Sequence, residues 1–216
     1  MSSLADQLAT CNTPALFDVL RIHKLPIIEL PRTIRGLDPA MKLAGPVWTM
    51  RGRADPDISA NESLELWIRD CLSGALPGHV IVCQPQDDAR SAMGDLSAEA
   101  LRQRGVLGYL IDGGSRDADE IIEIGFPVFC KFTTPIDIVG TWRLEETQVP
   151  IKIGEVTVTP GDYIMGDRDG TLLIPKDIAE FVITKTVETM STDSSMRTAI
   201  RSGRDPYDAF LEFGKL

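Results

Sequence analysis

An α/β fold is the prediction for this chain, and three observations carry it. The run VLGYLID (106–112) is continuously apolar and bounded by glycines, the pattern of a strand buried on both faces. Helix-like and strand-like segments alternate through the middle third. Beyond Gly140 the composition shifts to strand and turn, so the C-terminal half is β-rich until a final helical stretch. The chain has 216 residues, 43% of them hydrophobic, which is enough apolar mass for one substantial core. No linker or repeat divides it, so a single domain over 1–216 is expected.

Each element has its own signal. Thr13-Pro14 opens the first clear helix, with a capping hydroxyl followed by Pro at the first helical position; Leu16, Val19 and Leu20 follow helical spacing. Pro26 and Pro31 close that region, and residues 33–53 read as turn and strand, with GPVWTMRG as the strand. Ser59 or Asn61 starts a helix reaching about Ala75, whose apolar face is Leu64, Trp67, Ile68 and Leu72. Pro77-Gly78 turns the chain into the strand HVIVCQ. Residues 89–104 read as a helix stopped by Gly105. After VLGYLID, Gly113-Gly114 makes a turn, Ser115 caps a helix through Ile124, and FPVFCKF is the next strand. IGEVTVT alternates, and turns at Pro160-Gly161 and Asp169-Gly170 suggest antiparallel hairpins. A long helix from about Asp177 to Ser202 and a short one in PYDAFLEF finish the chain.

Charge and residue usage narrow the function. A net charge of −10 argues against a nucleic-acid surface, which needs clustered Lys and Arg. It leaves anionic small substrates open, because one Arg in a cleft can override the global field. MSSLADQLATCN has neither the basic start nor the apolar core of a signal peptide, and no apolar run approaches the ~20 residues of a membrane span, so a cytoplasmic protein is expected. Cys11, Cys71, Cys83 and Cys130 lack zinc-motif spacing, and Cys83 and Cys130, in apolar strand-like runs, read as buried thiols. With only His23 and His79 available, a metal would be held mainly by carboxylate and water oxygens, which favours magnesium or manganese.

The richest stretch is GDLSAEALRQRGVLGYLIDGGSRDADE, residues 94–120. It reads as helix, buried strand, glycine turn and second helix, with ionisable groups at the element ends. Asp112 ends the strand, where ligands gather in open α/β sheets, and the two glycines would let the backbone approach a ligand. Arg116 offers a planar fork for a carboxylate, and Asp117 a hard oxygen, both in the first turn of the second helix. Asp95 follows Gly94 at the first helix's start, where unpaired amides favour an anion. Each residue also has a structural reading: Asp95 as a helix cap, Asp117 and Glu120 as partners of a helix dipole, Arg116 in a surface ion pair, Asp112 as a turn cap. Asp167 and Asp169 read as hairpin residues, and His79 as an ordinary strand-edge side chain.

Asp95, the twenty residues that follow, Arg116-Asp117 and Glu120 resemble the D-x20-R-D-x-x-E/D signature of the class II pyruvate aldolases. That family includes the 4-hydroxy-4-methyl-2-oxoglutarate/4-carboxy-4-hydroxy-2-oxoadipate aldolases, and its superfamily includes the regulator of ribonuclease E activity. TPALFDVL, FPVFCKFTTP, the PGD…D-x-DG segment within 149–175 and the C-terminal AIRSG…AFLEFG extend the resemblance over most of the chain. It implies a swivelling β/β/α fold, a homotrimer or hexamer, and a site at a subunit interface. By position, Asp117 would be the direct ligand of Mg2+ or Mn2+, and Asp95 would hold the ion through water, with Glu120 in the last motif position. Arg116 would contact the pyruvyl group, and the amides after Gly94, at Leu96 and Ser97, would receive the substrate carboxylate. The implied activity is cleavage of a 4-hydroxy-2-oxo acid to pyruvate and a carbonyl compound, with oxaloacetate decarboxylation through the same enolate. Two points depart from the family. The acidic residue expected from a neighbouring subunit has no secure match, Glu188 and Asp193 being the nearest, and NESLELWIRD is less polar than its counterpart in the aldolases.

Two other readings compete. A non-enzymatic ribonuclease regulator would tend to carry a neutral residue at position 95, so Asp95 favours the enzyme. A Schiff-base aldolase would need a lysine in an apolar setting, and Lys131 within FPVFCKF is the candidate.

Overall fold

Period-two alternation decides which core each central strand residue joins. A computed structural model of the chain describes residues 3–213, without the side chains of 191–195 and 213. In chain order its elements are α1 (Leu4–Thr10), α2 (Thr13–Ile22), β1 (Ile28–Glu29), β2 (Arg35–Gly36), β3 (Leu43–Ala54) and α3 (Ala60–Leu66), which runs into a π-helical turn (Trp67–Leu72). Next come β4 (Val80–Gln84), α4 (Asp95–Gln103), β5 (Gly108–Ile111), β6 (Gly114–Ser115), α5 (Ala118–Ile124), β7 (Val128–Cys130) and β8 (Phe132–Thr133). The last elements are β9 (Trp142–Thr147), β10 (Ile151–Ile153), β11 (Val156–Val158), β12 (Tyr163–Gly166), β13 (Thr171–Ile174), α6 (Lys176–Arg201) and α7 (Pro206–Phe213).

The main sheet has nine strands in the order β1-β13-β12-β3-β4-β5-β7-β2, with β9 also on β3. Strands β3, β4, β5 and β7 are parallel, and the flanks are antiparallel. β3 is twelve residues long because it serves both halves: Leu43–Pro46 pair with β12, and Met50–Ala54 pair with β9 with a bulge between Arg51 and Gly52.

On β4 and β5, Ile81, Cys83, Tyr109 and Ile111 face one core, under α3, the π-turn, α4 and α5. Val80, Val82 and Leu110 face the other, which the β10–β11 ribbon covers with Ile151, Ile153 and Val158. VLGYLID is therefore buried on both faces as expected, with a β-ribbon in place of helices on the second side. A third core packs α1, α2 and α6 onto Met165, Leu172 and Ile174 of β12 and β13.

Several boundaries differ from the sequence expectation. A helix, α1, precedes α2, started by a Ser3–Asp6 capping box. Asn12, not Thr13, caps α2; the Thr13 hydroxyl and amide instead bind the buried Asp167 carboxylate at 2.7 and 2.8 Å. Ser59 is the cap of α3. Residues 89–94 are loop, because the Asp87 carboxylate takes the Ala89 and Arg90 amides and Gly94 is the cap of α4. Ser115 does not cap α5: its hydroxyl donates to Met93 O at 3.3 Å, and Asp117 is the cap residue. Arg116 and Asp117 therefore precede the helix and are not in its first turn. Pro160-Gly161 joins two strands that do not pair, so the hairpins are β10–β11 and β12–β13. Among the described residues no helix is long and apolar enough to cross a membrane.

Candidate active site

Twenty residues carry the chain out along α4 and back along β5, which returns Arg116 to the start of α4. The return is locked by backbone bonds. Arg116 N donates to Met93 O at 2.9 Å, Ala92 N donates to Gly114 O at 3.2 Å, and Ser91 bridges both Gly114 and Asp137. These contacts lie beyond the C-terminal ends of β4 and β5, the region where α/β sheets collect ligands.

Asp117 is the centre of the arrangement. Its backbone is left-handed, φ 53° and ψ 45°, a region Asp tolerates better than most residues. Its Oδ2 accepts the Asp95 amide at 3.3 Å and Arg116 Nε at 3.2 Å. Among the described residues no donor reaches Oδ1. Gly94 makes this approach possible: a Cβ there would stand 2.6 Å from Asp117 Oδ2 and 3.2 Å from Arg116 Nε. The glycines of the Gly113-Gly114 turn are required by packing. A Cβ on Gly113 would strike Pro85, and one on Gly114 would strike Phe132 and Arg90 O.

Arg116 is held from two sides. Besides Asp117, its NH1 donates to Asp137 Oδ2 at 3.0 Å, and Asp137 Oδ1 accepts the Val139 amide at 3.1 Å. Arg116 and Asp137 are 38% and 42% exposed, so the pair faces an accessible space. That space is a cavity of about 260 Å3. Its polar lining includes Gly94, Asp95, Ser97, Arg116 and Asp137, and α3 and the π-turn supply an apolar wall. The Leu96 and Ser97 amides lie in the first turn of α4, where no intrahelical acceptor exists.

Of the sequence-predicted residues, Gly94, Asp95, Leu96, Ser97 and Arg116 line the cavity, and Asp117 touches Asp95 and Arg116 behind Gly94. Glu120 is exposed on the first turn of α5, outside the lining. Asp112 points elsewhere: Oδ1 lies 2.7 Å from Lys131 Nζ in an ion pair without hydrogen-bond alignment, and Oδ2 accepts the Gly154 amide at 3.1 Å. Glu188 pairs with Lys185 on α6 and does not line the cavity of its own chain; the Asp193 side chain lies outside the described residues. His79 bonds Pro77 O at its own strand edge.

Sequence reasoning missed Asp137 and the apolar wall. An acidic residue inside the apolar run PIDIVG, just after a strand, was the available signal for Asp137. The predicted apolar face of the 59–75 helix is divided: Trp67 and Leu72 join the first core, while Leu64 and Ile68 do not. Leu64 and Ile68 are 40% and 51% exposed, and they face the cavity with the buried Trp67. The cysteines are buried and free; burial pushes the Cys83 thiol up to about 12 and the Cys130 thiol up to about 11.

The RraA-like model, described as Aldolase/RraA, matches residues 13–173 and so spans every residue of this cavity. The chain belongs to the RraA-like family. A protein of Halalkalibacterium halodurans, provisionally named a 4-hydroxy-4-methyl-2-oxoglutarate aldolase, is 30% identical over 187 residues, covering 86% of this chain and 85% of that one. A 4-hydroxy-4-methyl-2-oxoglutarate aldolase of Thermus thermophilus is 26% identical over 148 residues, covering 68% of this chain and 84% of that one. In fold, this RraA-like protein is similar to Streptomyces coelicolor RraAS2, described as an unusual member of the RNase ES inhibitor RraA protein family. That match has a TM-score of 0.74 at 23% identity and covers 90% of this chain and 95% of that chain.

Proposed function

We propose that the protein is a divalent-metal-dependent lyase that cleaves a 4-hydroxy-2-oxo acid to pyruvate and a carbonyl compound. The observation that carries this reading is the meeting of a guanidinium and a helix start in the cavity wall, Arg116 and α4, with the Asp117 carboxylate bonded to both.

The donor set fits a magnesium or manganese ion. Among the described residues Asp117 keeps one carboxylate oxygen without a partner, and the Asp95 amide bonds the other. Among the described residues no three acidic, His or Cys side chains form a closed cage. That suits a hard ion that keeps several waters and takes only one or two carboxylates. Asp117 would hold it directly and Asp95 through water; Glu120, exposed and outside the lining, is left out of the ligand set. When bound, the ion supplies Lewis-acid stabilisation of the enolate charge.

The chain's own groups do the rest. The Leu96 and Ser97 amides receive the substrate carboxylate at the positive end of α4. Arg116 places a fixed positive charge where negative charge grows on the 2-oxo oxygen, and Asp137 fixes its orientation. The C4 hydroxyl proton passes to Asp95 through a water as the C3–C4 bond breaks. The same enolate forms when oxaloacetate loses carbon dioxide, so that decarboxylation belongs to the proposal. So does a homotrimer or hexamer: Leu96 at the cavity edge and nearby Ile136 are 80% and 58% exposed, apolar surface that a neighbouring subunit would cover.

A coupled pyruvate assay over 4-hydroxy-2-oxo acids and oxaloacetate tests the reading. Turnover stops with EDTA and returns with Mg2+ or Mn2+. Absence of pyruvate release from every substrate in the presence of metal refutes it and leaves the non-catalytic ribonuclease inhibitor as the competing account.

A further inference from the structure

The cavity has two unlike halves. The half near Arg116 is polar and has just been described. The other is built by Leu64, Trp67, Ile68 and Leu72 of α3 and the π-turn, with Ile138 and Val139 completing it. Leu64 and Ile68 are too exposed to be core residues, and their apolar surface lines the cavity.

The polar atoms of this half are already committed. The Ser63 hydroxyl faces Ile138 O at 3.2 Å and Trp142 O at 3.0 Å, and its one hydrogen is used there. The Trp67 indole N–H donates to Ser97 Oγ at 3.1 Å. Arg116 is the one cationic residue in the lining, and both Asp137 and Asp117 already hold it. Asp95 and Asp137 add negative charge to the same space. Among the described residues of this chain, a second carboxylate on the substrate would meet no free cation, two carboxylates and an apolar wall, and a buried unpaired carboxylate is among the costliest groups to place.

We infer that the 4-hydroxy-2-oxo acid cleaved by the aldol reaction carries an uncharged apolar group beyond C4, an alkyl or aryl substituent, and only one carboxylate. The inference rests on the lyase reading and names its substrate class. In the reaction the C4 hydroxyl loses its proton, the C3–C4 bond breaks and its electron pair passes to C3 as the enolate. C3 then takes a proton to become the methyl group of pyruvate. The remaining fragment leaves as an apolar aldehyde or ketone, with no change in overall oxidation state. The volume of about 260 Å3, at or below the lower end of the ~300–1,000 Å3 usual for ligand pockets, suits a short substituent.

The test compares pyruvate release from 4-hydroxy-2-oxopentanoate, 4-hydroxy-2-oxohexanoate and 4-hydroxy-2-oxoheptanoate with release from 4-hydroxy-2-oxoglutarate, all with Mn2+. Deuterium exchange into the pyruvate methyl group, followed by NMR, reports the pyruvyl half independently. Titration calorimetry of 2-oxohexanoate against 2-oxoglutarate adds a binding readout. The alkyl series should gain about fourfold in kcat/KM per methylene while the wall accommodates it. Its best member should exceed the glutarate by tenfold or more, and 2-oxohexanoate should bind tighter than 2-oxoglutarate. Ile68→Arg, at an exposed position, should move the substrate ratio toward the glutarate. A wild-type preference for the dicarboxylates while methyl exchange is intact overturns this inference and leaves the lyase standing. Loss of both exchange and cleavage takes down the lyase reading itself.

Discussion

Substituting Gly94→Ala should separate the fold from the site. The backbone there is extended, φ −141° and ψ 178°, so alanine is allowed without strain. The new Cβ would stand 2.6 Å from Asp117 Oδ2, against the 3.4 Å at which ordinary contact begins, so the carboxylate must retreat by about 0.8 Å (3.4 less 2.6). Asp117 can do this by turning its side chain, but Oδ2 then leaves the Asp95 amide and Arg116 Nε. A displacement near 1 Å at a catalytic group costs on the order of 10²-fold in rate, so kcat/KM should fall between about tenfold and a hundredfold. The fold should lose little. Alanine for glycine at a helix cap costs about 1 kcal/mol or less, roughly 2–4 °C in Tm for a chain of this length. The assay is Mn2+-supported pyruvate release beside a thermal melt and a Mn2+ titration. Unchanged activity and ion affinity in a folded Gly94→Ala protein would refute the reasoning, because the carboxylate would then have no role at this position.

Other outcomes follow from the same geometry. Asp137→Asn should cost about tenfold or more in kcat/KM while Mn2+ affinity is kept, since it frees Arg116 without touching Asp117; equal loss of ion binding would contradict that division. Borohydride with pyruvate should leave Lys131 without a mass adduct, because its ammonium is paired with Asp112 at 2.7 Å; a labelled Lys131 would restore the Schiff-base reading. Arg143 Nε donates to Asp55 Oδ2 at 2.8 Å and, with the Asp57 amide, holds the Asp55 carboxyl below its ordinary value. A depressed folded-state pKa stabilises above the unfolded value of about 4 and is lost as pH falls through the folded one. The Tm gap between wild type and Asp55→Asn should therefore be present at pH 7 and close below about pH 4; a gap that widens in acid would reverse the assignment.

Much of this was legible in the chain, and the exceptions have physical reasons. VLGYLID declared a doubly buried strand because Tyr109 and Ile111 serve one core and Leu110 the other. Ser59 declared a helix start by chemistry local to it, and the Ser3–Asp6 box that starts α1 was there to be read as well. Position along the chain could not reveal partners across it. Thr13 resembled a cap because hydroxyls often cap, yet Asp167, 154 residues away, engages it. Asp137 was passed over because only the folded loop brings it to Arg116. Leu64 and Ile68 showed that helical periodicity reports an apolar face and not what covers that face. The motif placed Asp95, Arg116 and Asp117 together; it did not show that Gly94 is what lets Asp117 reach the Asp95 amide.

The central claim is that Asp117 and Arg116 jointly hold a hard cation and a 2-oxo acid. Titrating Mn2+ into wild type and Asp117→Ala, each with and without oxalate as a planar mimic of the pyruvate enolate, tests it most directly. The account predicts that in wild type each ligand tightens the other, and that Asp117→Ala loses both ion binding and this coupling. Equal Mn2+ affinity in the two proteins, with oxalate binding indifferent to the ion, would contradict it.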